Sequence, residues 1–411
     1  MQLPEAFITR TKALLGNEWD AFEQSFNQER PVSIRLNPKK FKDALLDFEV
    51  ESPVPWASDA YYLSSRPVFT LDPLFHAGCY YVQEASSMFL EHYIKNYIHE
   101  PVKALDLCAA PGGKSTHLSA ILPEGSLLVA NEVIRSRADI LSENLIKWGN
   151  PNSIVTNNDP KDIGKMKAFF DVIVCDLPCS GEGMFRKDPV AVSEWSVNNV
   201  KRCAERQRKI VNDIFPALKP GGILVYSTCT YNREENEDNI DWICKELDME
   251  LLEEPRRFMP HKTKGEGFFI AGLRNLTPNP SPQGEGSRWR HCEGEIRSNL
   301  PPLTPPQGEN CSLLNSLQFV MTGSKIKKGM IPNHALAMST ALPKDAFPRW
   351  DLNKETALKY LRKEALYNIP PAVPLGFVLV TYRNQPLGFI KNIGNRANNL
   401  YPQEWRIRMN F

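Results

Sequence analysis

No stretch of the chain approaches the roughly 18 consecutive apolar residues needed to cross a bilayer, and the opening MQLPEAFITRTKALLGNEWD lacks the basic-then-apolar order of a secretory signal. A cytosolic protein with no membrane partner is therefore expected. No paired CxxC set with zinc-site spacing occurs. The nine cysteines are an odd number, and several sit in apolar segments such as DVIVCD. Reduced thiols are the expectation, which leaves room for a reactive one. A Gly-x-Gly-x-x-Gly is also missing, so a dinucleotide fold has no support. Net charge is nearly absent, at +1, but its distribution is uneven. Residues Phe319 to Phe411 hold 14 Lys/Arg against 5 Asp/Glu, while the first hundred residues are net acidic. A basic C-terminal portion suggests a polyanionic partner, the bland alternative being an ordinary solvated surface.

At 411 residues the chain is too long for one small core and should form two or three domains. The first hundred residues predict a helix over Pro4 to Leu15, an extended segment Val32 to Leu36 and a helical run Ala85 to Ile98. From Val102 short apolar strands alternate with amphipathic helices: VKALDL, SLLVAN, NSIVT, DVIVCD and GGILVYS. Such alternation predicts a parallel sheet with helices on both faces and its ligands along one edge. Between Asn275 and Ser316 the composition collapses into Pro, Gly, Ser, Asn and Glu, a segment too polar to build a core. Beyond it, a helix Lys354 to Leu366 and a hairpin, GFVLVTY and LGFIKNI with its turn at Asn384 to Pro386, predict a compact C-terminal module.

Asp106-Leu107-Cys108-Ala109-Ala110-Pro111-Gly112-Gly113-Lys114-Ser115 follows the first strand of the sheet and opens a helix. Small residues there let a ligand approach the helix N-terminus. A phosphate loop would need glycine where this chain has Cys108, so GGKS is a poor nucleotide-triphosphate signature. Glu132, at the end of the second strand, is placed to accept from ribose hydroxyls, and Asp159, after the third, to reach an adenine amino group. As isolated acids either could simply cap a helix.

The sharpest signal is Cys175-Asp176-Leu177-Pro178-Cys179-Ser180-Gly181-Glu182-Gly183 after the fourth strand, beside Ser227-Thr228-Cys229-Thr230 after the fifth. C5 of cytosine is a poor nucleophile. A thiolate that adds to C6 turns the ring into an enamine able to attack an electrophilic methyl group, and a second group must then help remove the C5 proton. Two loop cysteines and an aspartate on adjacent strands supply such groups. For any one cysteine, burial as a small hydrophobe is the alternative, and Cys108, Cys175, Cys203 and Cys244 fit it.

DLCAAPGGKSTH, DLPCSGEGMFRKDP and YSTCTYNREENEDNI, with Gly78-Cys79-Tyr80-Tyr81-Val82-Gln83-Glu84 ahead of the sheet, closely resemble the Sun/nucleolar-protein family of RNA (cytosine-C5)-methyltransferases, and within it the bacterial RsmF type. The resemblance runs from about Arg30 to Leu273 and resumes over Leu375 to Ile407, where GNRANNLYPQEWRI looks like a PUA-type tail. It implies an α/β protein: a Rossmann-like class I methyltransferase domain over 99–274, a small N-terminal α/β RNA-binding domain over 1–98 and a PUA-like RNA-binding module over 317–411, while the low-complexity insertion or linker over 275–316 departs from the family pattern. It makes Cys229 the nucleophile and Cys179 the cysteine that assists product release. It assigns S-adenosylmethionine to Cys108, Ala109, Ala110, Pro111, Gly112, Gly113 and Lys114 with Glu132, Asp159 and Asp176. Lys114 and Asp176 are further implied as contacts to the target base.

The substrate is expected to be RNA, unstacked or flipped out to expose C5. The RsmF resemblance favours ribosomal RNA, within a small ribosomal subunit, over transfer RNA, and a monomeric enzyme is expected. A DNA cytosine-C5 methyltransferase would carry its nucleophile after the fourth strand and would not need Cys229. An N-methyltransferase would want Asn/Asp-Pro-Pro-aromatic where this chain reads Asp176-Leu177-Pro178-Cys179. A noncatalytic RNA-binding protein of the same fold would have no need to keep both cysteines.

Overall fold

The computed structural model describes residues 3–41, 46–278 and 331–409. Most of the polar segment Asn275 to Ser316 lies outside them, and only its first residues, to Pro278, are described.

Two helices, Glu5–Leu15 and Trp19–Ser25, precede an antiparallel sheet of β1 (Val32–Leu36), β2 (Val50–Pro53), β3 (Ala60–Leu63) and β4 (Tyr80–Val82), ordered β2-β3-β1-β4. The expected helix from Ala85 is a 3-10 turn over Ser86–Phe89 that becomes α-helical at Leu90–Tyr97.

The central sheet contains β5 (Lys103–Asp106), β6 (Leu127–Asn131), β7 (Ser153–Thr156), β8 (Phe170–Asp176), β9 (Leu218–Thr228), β10 (Met249–Leu251), β11 (Arg256–Phe258) and β12 (Phe268–Asn275). Its order is β10-β12-β9-β8-β5-β6-β7, with β11 also paired to β12. The five strands expected from the sequence are parallel. The antiparallel extension by β12, β10 and β11 was not expected. In β8, Val172, Ile173, Val174 and Cys175 are all fully buried, as a strand covered by helices on both faces requires. Ile173 and Cys175 join one core with Leu105, Val211 and Tyr226; Val172 and Val174 point into the opposite core with Leu90, Leu118 and Val225. Each such side chain contributes about 1.5–3 kcal/mol by burial.

The chain leaves β5 towards β6 and β7 on one side, then returns to place β8 on the other. A reversal of this kind opens a crevice at the carboxyl ends of the strands. The loops after β5, β8 and β9 meet there.

The C-terminal sheet, β13 (Arg349–Leu352), β14 (Gly376–Tyr382), β15 (Gln385–Asn392) and β16 (Ala397–Asn399), does not stand alone. Val378, Val380, Leu387 and Ile390 share one core with Ile34, Leu63 and Tyr80 of the N-terminal sheet and with Leu74 of the short helix Pro73–His76. At the same seam Asn37 Nδ2 donates to the carbonyl of Trp148 (2.9 Å) and Lys40 Nζ to that of Lys147 (2.6 Å). They cap the C-terminus of the helix Arg135–Trp148, where a cation also offsets the helix dipole. Thr340 closes the junction by donating from its amide to Gly149 O at 2.9 Å. Two local expectations are corrected. The helix expected to reach Leu366 ends at Leu361, because Lys363 turns left-handed at φ +69° and Leu366 bridges to Ala397. The hairpin turns at Arg383-Asn384, both with positive φ, and Gln385 already pairs with Tyr382.

Candidate active site

The loop after β5 runs into the helix Gly113–Ile121. Gly112 caps that helix at φ +115°, a conformation a Cβ would strain. Cys108, Ala109, Ala110, Pro111, Gly113 and Lys114 line a cleft whose floor holds Asp106 and Asp176. The facing wall is the segment Tyr81–Glu84 with Ser87, from the end of the N-terminal sheet. This wall is fixed by Arg35, fully buried, which donates from Nε to Gln83 Oε1 (3.1 Å) and from NH2 to Thr116 Oγ1 (2.7 Å), with its guanidinium over the Trp148 ring. A separate cavity lined by Ser142, Gly149, Asn150, Asn333 and Ser339 lies at the C-terminal seam and contains none of the motif residues.

Asp106 was not singled out from the sequence. Its Oδ2 accepts from Ser115 Oγ at 2.6 Å, while its buried Oδ1 has no partner. Desolvation pushes this carboxyl up to about 7, against the pull of Ser115 and Lys114. An unpaired carboxylate oxygen below the cleft suits a cationic ligand. Burial likewise pushes the Cys108 thiol up to about 12.

Lys114 and Asp176 form an ion pair, Nζ to Oδ2, of 2.8 Å. The ammonium also lies 4.9 Å from the Phe268 ring centroid, and Ser227 Oγ donates to Asp176 Oδ1 at 3.0 Å. The pair thus bridges the β5, β8 and β9 loops at the cleft mouth.

Beyond the last paired residues of β8 and β9, Asp176 and Ser227, the two cysteines converge. Cys179 Sγ lies 3.0 Å from Cys229 Sγ, and neither is in a disulfide. The hydrogen bond to Cys229 pushes the Cys179 thiol well above its ordinary range, and burial adds to the effect. Either sulfur can donate in this contact.

Glu132 and Asp159 lie at the same sheet edge but do not line the cleft. Glu132 is buried: Oε1 accepts from Ile134 N at 3.0 Å, and Oε2 stands 3.5 Å from Arg137. Arg137 in turn donates to Ala110 O at 2.7 Å, tying Glu132 to the glycine loop. Asp159 caps the short helix Pro160–Ile163 through Lys161 N.

The family model described as 16S rRNA methyltransferase RsmB/F matches residues 97–274. The N-terminal domain of 16S rRNA methyltransferase RsmF matches 3–85, and the RsmF PUA domain 347–407. A protein of Salmonella paratyphi A named ribosomal RNA small subunit methyltransferase F is 31% identical over 98% of this chain and 96% of its own. The Salmonella dublin protein of the same name is 30% identical over the same shares. Among solved structures, a methyltransferase homolog protein of Pyrococcus horikoshii is 29% identical with a TM-score of 0.58, covering 66% of this chain and 95% of that one. The fold also matches NSun6 of Pyrococcus horikoshii with SFG, at 20% identity and a TM-score of 0.57, covering 67% of this chain and 99% of that one. With all three of its folded regions matched by RsmF-type models, and near full-length likeness to the curated relatives, this chain belongs to the RsmF family of methyltransferases.

Proposed function

We propose that the protein methylates C5 of a cytosine in small-subunit ribosomal RNA, using S-adenosylmethionine and a covalent adduct between Cys229 and C6 of the base. The observation that carries this reading is the 3.0 Å approach of two unpaired thiols beside the Lys114–Asp176 pair. The hydrogen bond between them, with burial, pushes the Cys179 thiol up.

The cleft residues fit the cofactor. Cys108 to Lys114 offer a backbone cradle at a helix N-terminus for a carboxylate, Asp106 Oδ1 is an unpaired acceptor for a cationic group, and outside the cleft, further along the same sheet edge, Glu132 and Asp159 take the ribose and adenine ends. When bound, S-adenosylmethionine supplies an electrophilic methyl group on a sulfonium.

The remaining roles fall to this chain's own residues. The Cys229 thiolate attacks C6, and the enamine so formed makes C5 nucleophilic. Cys179 stands in sulfur–sulfur contact with Cys229 in the resting state. After methylation it assists loss of the C5 proton and expulsion of that sulfur. Lys114 and Asp176 hold the polar edge of the base while attack proceeds. The regions 1–98 and 317–411 clamp the surrounding RNA backbone on either side of the methyltransferase domain 99–274, with the linker 275–316 between domain and module. The reading includes a monomeric enzyme in the cytosol.

The test is incubation with methyl-labelled cofactor and either unmodified small ribosomal subunits or transfer RNA, followed by nuclease digestion. Label in 5-methylcytidine from the subunit is expected. Label in another nucleoside, or in transfer RNA alone, would overturn the reading.

A further inference from the structure

The sheet cannot by itself set the distance between the two sulfurs. Pairing of β8 with β9 ends at Asp176 and Ser227, and both cysteines lie in loops beyond it. Two fully enclosed glutamates lace those loops together, each reaching from its own loop into the other. Glu182, three residues after Cys179, accepts on Oε2 from Thr230 Oγ1 (2.7 Å), Tyr231 N (2.8 Å) and Asn232 N (2.9 Å) in the Cys229 loop. Its Oε1 accepts from Trp195 Nε1 at 3.0 Å. Glu235, six residues after Cys229, accepts on Oε2 from Ser180 N (3.0 Å) in the Cys179 loop and from Gln207 Nε2 (2.8 Å). Its Oε1 accepts from Asn232 Nδ2 at 2.8 Å. The same Gln207 amide reaches Pro178 O at 3.1 Å. Gly183 N donates directly to Cys229 O at 2.9 Å, and a Cβ at Gly183 would stand 2.9 Å from that carbonyl and 2.5 Å from Gly267 O.

We propose that Glu182 and Glu235 are positioning residues that hold Cys179 and Cys229 at sulfur–sulfur contact. This rests on the proposed roles of the two cysteines. Seven donors converge on two carboxylates, and a carboxylate suits this because it accepts on both oxygens and donates on neither. An amide of the same shape must turn its NH2 towards a donor, and the loop on that side loses its anchor. Since neither glutamate touches the sulfurs, their loss should loosen the geometry of the adduct without emptying the cofactor cleft.

The experiment compares full-length wild type with Glu182→Gln, Glu235→Gln and Gly183→Ala, the last forcing the loops apart from a different side. Sulfur proximity is read without any methylation, by treating each protein with one equivalent of diamide and measuring the Cys179–Cys229 disulfide by peptide mass spectrometry. The two thiols lose two protons and two electrons to the diazene, which becomes a hydrazine. The expected result is a fall of about tenfold or more in the cross-linking rate and a fall of about 10–100-fold in kcat. KM for RNA and affinity for S-adenosylmethionine should stay within about twofold. Restoring a carboxylate at the same site, with Glu235→Asp, should recover part of both losses. Variants that bind cofactor normally but keep wild-type cross-linking overturn the proposal, whether or not kcat falls. An active Cys229→Ala would sink the nucleophile assignment instead, and the cross-linking rates would still judge the brace.

Discussion

Asp106→Asn should change stability in opposite senses at two pH values. The carboxyl is fully buried, one oxygen held by Ser115 and the other unpaired, and its pKa rises from the ordinary 3.8 to about 7. A carboxyl that binds its proton more tightly folded than unfolded costs stability when ionised. The cost grows from about pH 4 and is complete above about pH 7, where it reaches at most ~4 kcal/mol at ~1.4 kcal/mol for each tenfold change in proton affinity. Asparagine removes that cost and can still accept from Ser115, but its NH2 takes the place of the unpaired oxygen and costs about 1–3 kcal/mol. At pH 8 the variant should therefore be the more stable by up to about 3 kcal/mol. Between pH 8 and pH 5 the difference should shrink by up to about 3 kcal/mol and approach or cross zero. Urea unfolding of the cofactor-free proteins, with matched slopes, reads this directly. A difference independent of pH would refute the reasoning, because it would mean that Asp106 does not take up a proton in the folded state.

The same carboxyl should link cofactor to pH. S-adenosylmethionine affinity of the wild type should weaken as pH falls below about 7, with proton release on binding visible by calorimetry, and Asp106→Asn should bind more weakly with no such dependence. Glu132→Ala and Asp159→Ala should also weaken S-adenosylmethionine binding, and ATP binding in its place would contradict the cofactor assignment. For RNA, deleting the C-terminal strands would open the core they share with Ile34 and Tyr80, so point charges are the cleaner probe. Lys391→Glu and Arg396→Glu, both at exposed positions, should weaken binding and flatten its salt dependence. An unchanged slope would count against an RNA role for this face.

Much of the site was legible because strand ends in a parallel sheet announce themselves. DVIVCD is apolar throughout since both faces of β8 are covered, and the loops carrying chemistry follow such strands directly. What escaped was set by contacts between distant segments. Arg35 holds Gln83 from a strand 48 residues away in sequence and reaches Thr116 across the domain seam, so the Tyr81–Glu84 wall of the cleft has no local signature. Asp106 reads as an ordinary acid at a strand end, and only burial reveals its unpaired oxygen. After the helix Glu237–Glu246, the edge strands β10, β11 and β12 follow one another with no helix between them, so the strand–helix alternation could not foretell them. The shared core of the first and last sheets arises from chain reversal over hundreds of residues, beyond the reach of any local period.

The central claim is that Cys229 attacks and Cys179 releases, and one gel decides between the two orders. Each alanine variant is incubated with RNA substrate and methyl-labelled cofactor, then run under denaturing conditions. Cys229→Ala should show neither methylation nor a protein–RNA band while still binding cofactor, because no adduct can form. Cys179→Ala should accumulate a denaturation-resistant protein–RNA species carrying the methyl label, because its adduct forms but resolves slowly. The reverse pattern, a labelled band from Cys229→Ala and none from Cys179→Ala, would contradict the account.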